Sequence, residues 1–471
     1  MTEATRDVME AIFSPKSVAI VGIPAGMKMG RLFLMGLQSA GYRGALHLVN
    51  PKLDELDGMK VLRRTGDIPG PLDLAIVLVP REHLPDIIDE LGEVKTTAAV
   101  IFTAGLGELG SDGMKQQRQL VDRARKNGIR LIGPNCQGVY APRSGLSFFP
   151  GMPTRTGNVS FVSGSGSLAS LSVGRGASRG VYFNKVISFG NAADLSASDF
   201  FSHFGDDPET RVIISYIEGI PEGRRFFETI GAVSAEKPVV VWKAGLTDYG
   251  ARAAHSHTGA LAGDEQIWRS ALVQAGAVPV SGMDEMIDAA MMLSFSSMPV
   301  GDRVAILSGP GGLAVSAADA AAKAGLRLAA LSDDTRKKIA GVLPPAGISV
   351  QNPVDVGLGA SGNVEQYTKP ARYLMQDDGV DVAVVIGGTF VKETNQIYRR
   401  ELIAARNDTN KTLVVINLPE FARAVQDDDT DTDFIEAGIP VFPSPERAMV
   451  ALGGAARYGR YLKDCVGSPD D

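Results

Sequence analysis

Asn158-Val159-Ser160-Phe161-Val162-Ser163-Gly164-Ser165-Gly166-Ser167-Leu168-Ala169 reads as an apolar strand, a tight glycine turn and the start of a helix. The same grammar returns at Arg303-Val304-Ala305-Ile306-Leu307-Ser308-Gly309-Pro310-Gly311-Gly312-Leu313-Ala314. Val159, Ser163, Gly164, Gly166, Leu168 and Ala169 match Val304, Ser308, Gly309, Gly311, Leu313 and Ala314 in register. A duplicated domain explains that match better than coincidence. A buried strand entering a helix through glycine belongs to a parallel sheet covered on both faces. The turn leaves unpaired N–H groups and the positive end of the helix dipole at one point. Glycine lets a phosphoryl group approach that backbone closely. Either turn alone is equally an ordinary βα turn; a pair of them can clasp one phosphoryl group from both sides. A looser correspondence links Gly190-Asn191-Ala192-Ala193-Asp194 with Gln351-Asn352-Pro353-Val354-Asp355, each an Asn-x-x-Asp after an expected strand.

The N-terminal part has the same alternation. Ser17–Val21 is apolar throughout, and Gly22-Ile23-Pro24-Ala25-Gly26-Met27-Lys28-Met29-Gly30 leads into a helix that Gly41 ends. Further strands are expected at Ala45–Val49, Leu72–Pro80, Ala98–Gly105 and from Arg130. Strand and helix at this spacing predict a doubly wound parallel sheet. Gly22, Gly26 and Gly30 are not spaced as a dinucleotide fingerprint, and the second strand ends in Asn50-Pro51-Lys52 without the acidic residue a nicotinamide ribose needs. Lys52 suits an extra phosphate instead. Coenzyme A, with a 3′-phosphate and a pyrophosphate, fits better than NAD; a purely structural glycine turn is the alternative.

At 471 residues the chain has room for three domains. Its net charge of −7 and pI near 5.5 give no electrostatic footprint for nucleic acid. Two cysteines, Cys136 and Cys465, make neither a disulfide framework nor a metal motif. The N-terminus has no apolar core of a signal peptide and no run long enough to span a bilayer follows, so a cytoplasmic location is expected. No metal ligands are expected in this chain. The expected domains are 1–143, 155–297 and 298–465, with a Pro-, Gly- and Ser-rich linker at about 143–156.

The second domain carries Ala253-Ala254-His255-Ser256-His257-Thr258-Gly259-Ala260-Leu261-Ala262-Gly263, with two of the five histidines. It follows the stretch Lys237–Lys243, read as a buried strand, and is expected to be a glycine-rich loop past a strand end, where α/β sheets hold ligands. Glu218 ends the run Val212–Ile217. Beside a histidine its carboxylate would accept one ring N–H and leave the other nitrogen free to attack; a solvent-facing turn cap is the alternative. The acidic run Asp427–Asp433 is read as a solvated loop.

Taken together, these motifs resemble the α subunits of NDP-forming acyl-CoA synthetases of the ADP-forming acetate–CoA ligase kind, and more distantly the succinyl-CoA synthetase α subunit. The resemblance spans about residues 8–462 and includes Ile132-Gly133-Pro134-Asn135-Cys136-Gln137-Gly138 and Ser256-His257-Thr258-Gly259. It implies an α/β chain: a Rossmann-like CoA-binding domain followed by two flavodoxin-like parallel-sheet domains. It implies a transient phosphohistidine at His257, oriented by Glu218. Phosphate binding falls on Ser163, Gly164, Ser165 and Gly166, and on Gly309, Gly311 and Gly312. The CoA-site residues are Gly22, Gly26, Lys28, Gly30, Asn50, Lys52, Val79, Pro80, Thr103, Ala104 and Asn135.

The resemblance also implies a small carboxylic acid substrate and a separate ATP-grasp β subunit in a heterotetramer. That subunit would hold ATP or ADP and Mg²⁺, since no segment here looks like an ATP-grasp domain. Two departures stand out. The family's usual Asn-Ala-Gly-Gly-Pro-Gly is Gly309-Pro310-Gly311-Gly312-Leu313-Ala314 here, and the usual Ser-Gln-Ser-Gly is Ser163-Gly164-Ser165-Gly166. The rival readings are a CoA-dependent acyl or carbamoyl transferase without nucleotide chemistry, and a non-catalytic CoA-binding regulator.

Overall fold

Three sheets carry the chain. The structure, a computed structural model, describes residues 3–466 apart from 259–262, 299, 345–348, 358–362, 389–390, 410 and 419–429; for 3, 4, 254–258, 430 and 466 it describes the backbone alone. The chain divides into two units, Met1–Met283 and Asp284–Asp471.

The first sheet holds β1 (Ser17–Val21), β2 (Ala45–Val49), β3 (Glu55–Leu56), β4 (Met59–Leu62), β5 (Leu74–Val77), β6 (Ala98–Ile101) and β7 (Arg130–Ile132), in the order β3-β4-β2-β1-β5-β6-β7. Its pairs are parallel apart from the β3–β4 hairpin. The sequence reading missed that hairpin, although Asp57-Gly58 is a strong turn signal and both residues have positive φ, 53° and 77°. All of β1 is buried, as a strand covered on both faces must be. Strand order reverses between β1 and β5, so the crevice beyond their carboxyl ends is the switch point where such sheets bind ligands.

The second sheet holds β8 (Gly138–Tyr140), β9 (Val159–Ser163), β10 (Phe183–Ser188), β11 (Val212–Ile217), β12 (Val239–Lys243) and β13 (Val278–Val280), in the order β13-β12-β11-β9-β10-β8. The expected boundary at 143 falls just after β8. That strand pairs antiparallel with β10 through Val186↔Tyr140 and Ser188↔Gly138, covering an otherwise open edge. The expected linker is also packed: Leu146 and Phe148 are buried, and Phe149 stacks on Phe33 of the first domain.

The two sheets of the first unit share one hydrophobic core, from Val18 and Ile20 to Phe200 and Ile213. Residues 191–195 run beside 131–134: Asn191 N–H donates to the Pro134 carbonyl (2.9 Å), Ala193 N–H to Gly133 (3.0 Å) and Leu195 N–H to Leu131 (3.2 Å). Asp194, its side chain fully buried, accepts from Arg125, Arg130 and the Leu131 N–H. Burial pushes its carboxyl up, but these donors outweigh that and hold it below the usual carboxylate range.

The third sheet holds β14 (Arg303–Ser308), β15 (Arg327–Leu328), β16 (Val354–Asp355), β17 (Val382–Ile386), β18 (Thr412–Ile416) and β19 (Val441–Phe442). The repeat is visible atom by atom. Ser163 Oγ donates to the Ser165 carbonyl (2.7 Å), and Ser308 Oγ donates to the Pro310 carbonyl (2.9 Å). Ser163 sits opposite Tyr216 of β11 as Ser308 sits opposite Ile386 of β17.

The Asn-x-x-Asp correspondence does not survive this register. Ser188, not Asp194, is opposite Ser163, whereas Asp355 is opposite Ser308. Asn352 instead fills the gap between β15 and β16. Its side chain accepts from Ile306 N–H (2.9 Å) and donates to the Val304 and Ala329 carbonyls, standing in for missing ladder bonds.

One further expectation is corrected in the second unit. The acidic run, from Thr430 onward, is a helix (Thr430–Glu436), with Asp431 bound by Asn417 and Asp433 by Arg399; Asp427–Asp429 lie outside the described residues. The helix Met283–Phe295 groups from Asp284 onward with the third sheet. Asp288 of that helix, 2 % exposed, is gripped by Arg447 of the C-terminal helix with bonds of 2.6 and 2.9 Å.

Candidate functional site

Residues expected to hold CoA lie at the carboxyl edge of the first sheet, each in or beside the loop that leaves β1, β2, β5, β6 or β7. Gly22 has φ +88°, and a Cβ there would lie 3.1 Å from the Leu78 carbonyl, so the β1 turn requires glycine. Gly30 lets its helix close against Pro24, whose Cδ would lie 2.6 Å from an added Cβ; around Gly26 there is open space. Lys28 is the N-cap of the helix Met29–Ser39, with no side chain bonded to the orphan N–H groups. That end is therefore open to an anion, with a lysine beside it. Asn50 donates to the Ile23 carbonyl (2.7 Å) and accepts from Lys52 N–H (2.8 Å), fixing the β2 exit against the glycine turn. Thr103 Oγ1 donates to Val79, next to Pro80 (2.6 Å), and Asn135 N–H donates to Thr103, next to Ala104 (3.1 Å), joining the β5, β6 and β7 exits.

In the second sheet Ser165 caps the helix Gly166–Ala177, and its hydroxyl accepts from Leu168 N–H. Gly164 N–H is taken by the Tyr216 carbonyl (2.9 Å). Gly166 is demanded by Gln137, whose Cγ would lie 2.6 Å from an added Cβ. Gln137 also accepts from Ser170 Oγ (3.3 Å), so a residue of the loop leaving β7 lines the first helical turn. The sequence reading quoted Gln137 but gave it no role. In the second unit, Gly309 leaves room for the buried Tyr367 hydroxyl and Gly311 for the Asp355 carboxylate, each too close for a Cβ. The helix Gly311–Lys323 begins after Pro310 without a side-chain cap.

Glu218 follows β11 directly. Tyr216 Oη donates to its Oε1 (3.0 Å), while burial first and the Glu218 charge second push the Tyr216 hydroxyl well above its ordinary pKa. The neighbouring strand β12 ends in Lys243, which sequence reasoning passed over. Lys243 is 6 % exposed, and its ammonium donates to the Glu218 carbonyl (2.8 Å) and the Ala244 carbonyl (2.5 Å). The same ammonium lies 5.1 Å from the centre of the Trp268 ring. Burial holds its pKa down, and Glu218 opposes that. A charged residue closing an apolar strand was the available signal.

The first part of the expected glycine-rich loop is helical: Asp248–Thr258 forms a helix, with Thr247 Oγ1 accepting from Gly250 N–H (3.1 Å). Thr247-Asp248 followed by three alanines is a legible helix start. His257 lies in the last turn of that helix; its side chain, that of His255, and residues 259–262 lie outside what is described. The helix packs against the short turn Gly107–Leu109 of the first domain. So β9, β11 and β12 send the serine–glycine turn, Glu218 and the histidine-bearing segment off one edge of one sheet.

The chain matches the family model of the CoA binding domain over residues 16–142, and that of the succinyl-CoA ligase like flavodoxin domain over 156–293. It is 35 % identical to the α subunit of acetate–CoA ligase [ADP-forming] II of Pyrococcus furiosus, covering 94 % of this chain and 96 % of that one. It is 35 % identical to acetate–CoA ligase [ADP-forming] I of Archaeoglobus fulgidus over 96 % of this chain and 64 % of that longer protein. Among solved structures, the dinucleotide forming acetyl-coenzyme A synthetase 1 of Ca. Korarchaeum cryptofilum, in complex with phosphate and ADP, superposes with a TM-score of 0.86 at 30 % identity, covering 98 % of this chain and 100 % of that one. No helix among the described residues is long and apolar enough to cross a membrane.

Proposed function

We propose that this chain, which belongs to the family of ADP-forming acetate–CoA ligase α subunits, binds CoA at its first sheet and carries a phosphoryl group on His257 between a nucleotide and a carboxylate. The overall reaction interconverts carboxylate, ATP and CoA with acyl-CoA, ADP and phosphate. The observation that carries this reading is the shared sheet edge. Glu218, the helix bearing His257 and the Ser163–Gly166 turn leave β11, β12 and β9, which are adjacent strands.

The steps follow from the groups available. A ring nitrogen of His257 attacks the terminal phosphorus of the nucleotide, and the P–O bond to the departing ADP breaks. A carboxylate oxygen then attacks that phosphorus and the imidazole leaves, giving an acyl phosphate. The CoA sulfur attacks the acyl carbon, phosphate departs, and the thiol proton passes to phosphate or water. Glu218 orients the imidazole and stabilises the charge it gains. At the turns Ser163–Gly166 and Gly309–Gly312 the first N–H groups of the helices Gly166–Ala177 and Gly311–Lys323 stabilise phosphoryl charge. Gly22, Gly26, Lys28 and Gly30 hold the pyrophosphate, and Asn50 and Lys52 the nucleotide end of CoA. Val79, Pro80, Thr103, Ala104 and Asn135 line its path. We assign the nucleotide and its Mg²⁺ to an ATP-grasp partner subunit, two copies of each making the enzyme.

The test is incubation of chain and partner with ATP and Mg²⁺, followed by peptide mass spectrometry. Phosphate is expected on His257. His257→Asn is expected to lose the label and turnover while keeping CoA affinity by calorimetry. Label on another residue, or full turnover by His257→Asn, overturns the reading.

A further inference from the structure

The turn Gly107–Leu109 lies just beyond Thr103 and Ala104, on the CoA side of the first sheet, and supports the helix that bears His257. Two side chains hold it. Glu108 Oε1 accepts from Gly105 N–H (2.5 Å), and Gln117 Oε1 accepts from Gly107 N–H (3.2 Å). Both then converge on one amide from the second domain: Asn191 Nδ2 donates to Glu108 Oε2 (2.7 Å) and Gln117 Oε1 (3.0 Å). Asn191 is fixed in its turn by its own N–H on the Pro134 carbonyl. Neighbouring Gly190 has φ +52° and passes so close to Pro134 that a Cβ would lie 2.2 Å from its carbonyl oxygen. Burial raises the Glu108 carboxyl, but the N–H groups of its own turn and the Asn191 amide outweigh that and keep it ionised more readily than an ordinary glutamate. One carboxylate thus joins the turn to the second domain at the place where the histidine helix rests.

We infer that Glu108 and Asn191 are positioning residues that set the Gly107–Leu109 turn as a seat for the His257 helix during the acyl half of the reaction. The inference rests on the phosphohistidine reading above. It adds that the two halves depend on different contacts: phosphoryl exchange with the carboxylate needs the helix on this seat, and exchange with the nucleotide does not. Loss of the seat misplaces the imidazole, and a displacement of about 1 Å is worth roughly 100-fold in rate.

The test uses the full chain with its partner subunit and labels it from each side, with γ-labelled ATP or with acetyl-CoA and labelled inorganic phosphate. Glu108→Gln puts two amide donors against each other, and Asn191→Asp puts two carboxylates together. The double variant E108Q/N191D restores one donor and one acceptor. Each single variant is expected to slow labelling from the acyl side by about 10- to 100-fold, with labelling from ATP within about twofold of the parent. The double variant is expected to recover most of the acyl-side rate. A parallel loss from both sides overturns the inference, because a merely structural role predicts that. So does an unchanged acyl-side rate in folded single variants, or a double variant no better than either single. If the unsubstituted chain takes label from neither donor, the phosphohistidine reading fails and takes the inference with it.

Discussion

Lys243 illustrates what one residue does at this sheet edge. Its ammonium ties the exit of β11 to the exit of β12 through two carbonyl oxygens, those of Glu218 and Ala244. A buried ammonium is costly unless its donors are used, and here carbonyls and the Trp268 face use them. Lys243→Met keeps the chain length and removes the donors. It is expected to destabilise the protein by about 2 kcal/mol, since buried carbonyls lose partners, and to lower kcat while leaving KM for CoA unchanged. Denaturation and steady-state kinetics check this; a raised KM for CoA with normal kcat would contradict it. The sequence contains the anomaly, a lysine closing Val239–Trp242, but not the carbonyl it reaches, 25 residues away. Glu218 stands out in the sequence because a carboxylate at a strand end is in ligand territory; Lys243 does not, because its partners are backbone atoms that every residue has.

Helices Glu3–Phe13 and Ala197–Asp206 meet through rings. Phe13 stacks on His203 at 5.3 Å with planes 8° apart, and Phe200 and Phe204 complete the cluster. His203 Nε2 is buried without a hydrogen-bond partner among the described residues. Burial first, and Lys185 next, push its pKa down to about 4, with Asp207 and Asp206 opposing. The folded protein therefore keeps this ring neutral, while the unfolded chain protonates near 6.5. Between those values the unfolded state binds more protons, so stability falls as pH drops from about 6.5 towards about 4. The loss amounts to about 3 kcal/mol at the low end. His203→Phe, which preserves the stack, is expected to remove that part of the acid sensitivity. Urea midpoints of both proteins at pH 7 and pH 4.5 measure the difference; an equal decline in both would contradict it. Amphipathic patterns place such helices, but not which ring stacks on which. The helix Asp248–Thr258 runs into the stretch expected as a loop: Gly259 and Gly263 dominate the local pattern there, while the start signal at Thr247 lies six residues before Ala253.

At the scale of the whole chain, the two units divide the proposed chemistry. The first holds the CoA edge, Glu218, His257 and one serine–glycine turn; the second holds Gly309–Gly312. A fragment ending at Met283 is expected to bind CoA within about threefold of the full chain, because the hydrophobic core that supports that edge lies inside it. It is expected to take little phosphate from ATP and the partner subunit, lacking one of two phosphate-binding turns. Calorimetry and labelling test both halves; CoA binding lost in a folded fragment, or normal phosphorylation, would contradict this division.

The alternation of apolar runs and helices, the duplicated Ser-Gly turns and the glycines at strand exits were all readable along the chain. Each is a local pattern: a run of side chains buried on both faces, or a φ that only glycine adopts readily. Tertiary structure alone decided that β8 leaves the first domain for the second sheet, that Asn352 and Asn191 do unrelated work, and that Glu108 meets an amide 83 residues away. Those outcomes depend on which edge is left uncovered and which polar atom is left unsatisfied once the sheets have packed, and neither leaves a periodic trace in the order of residues.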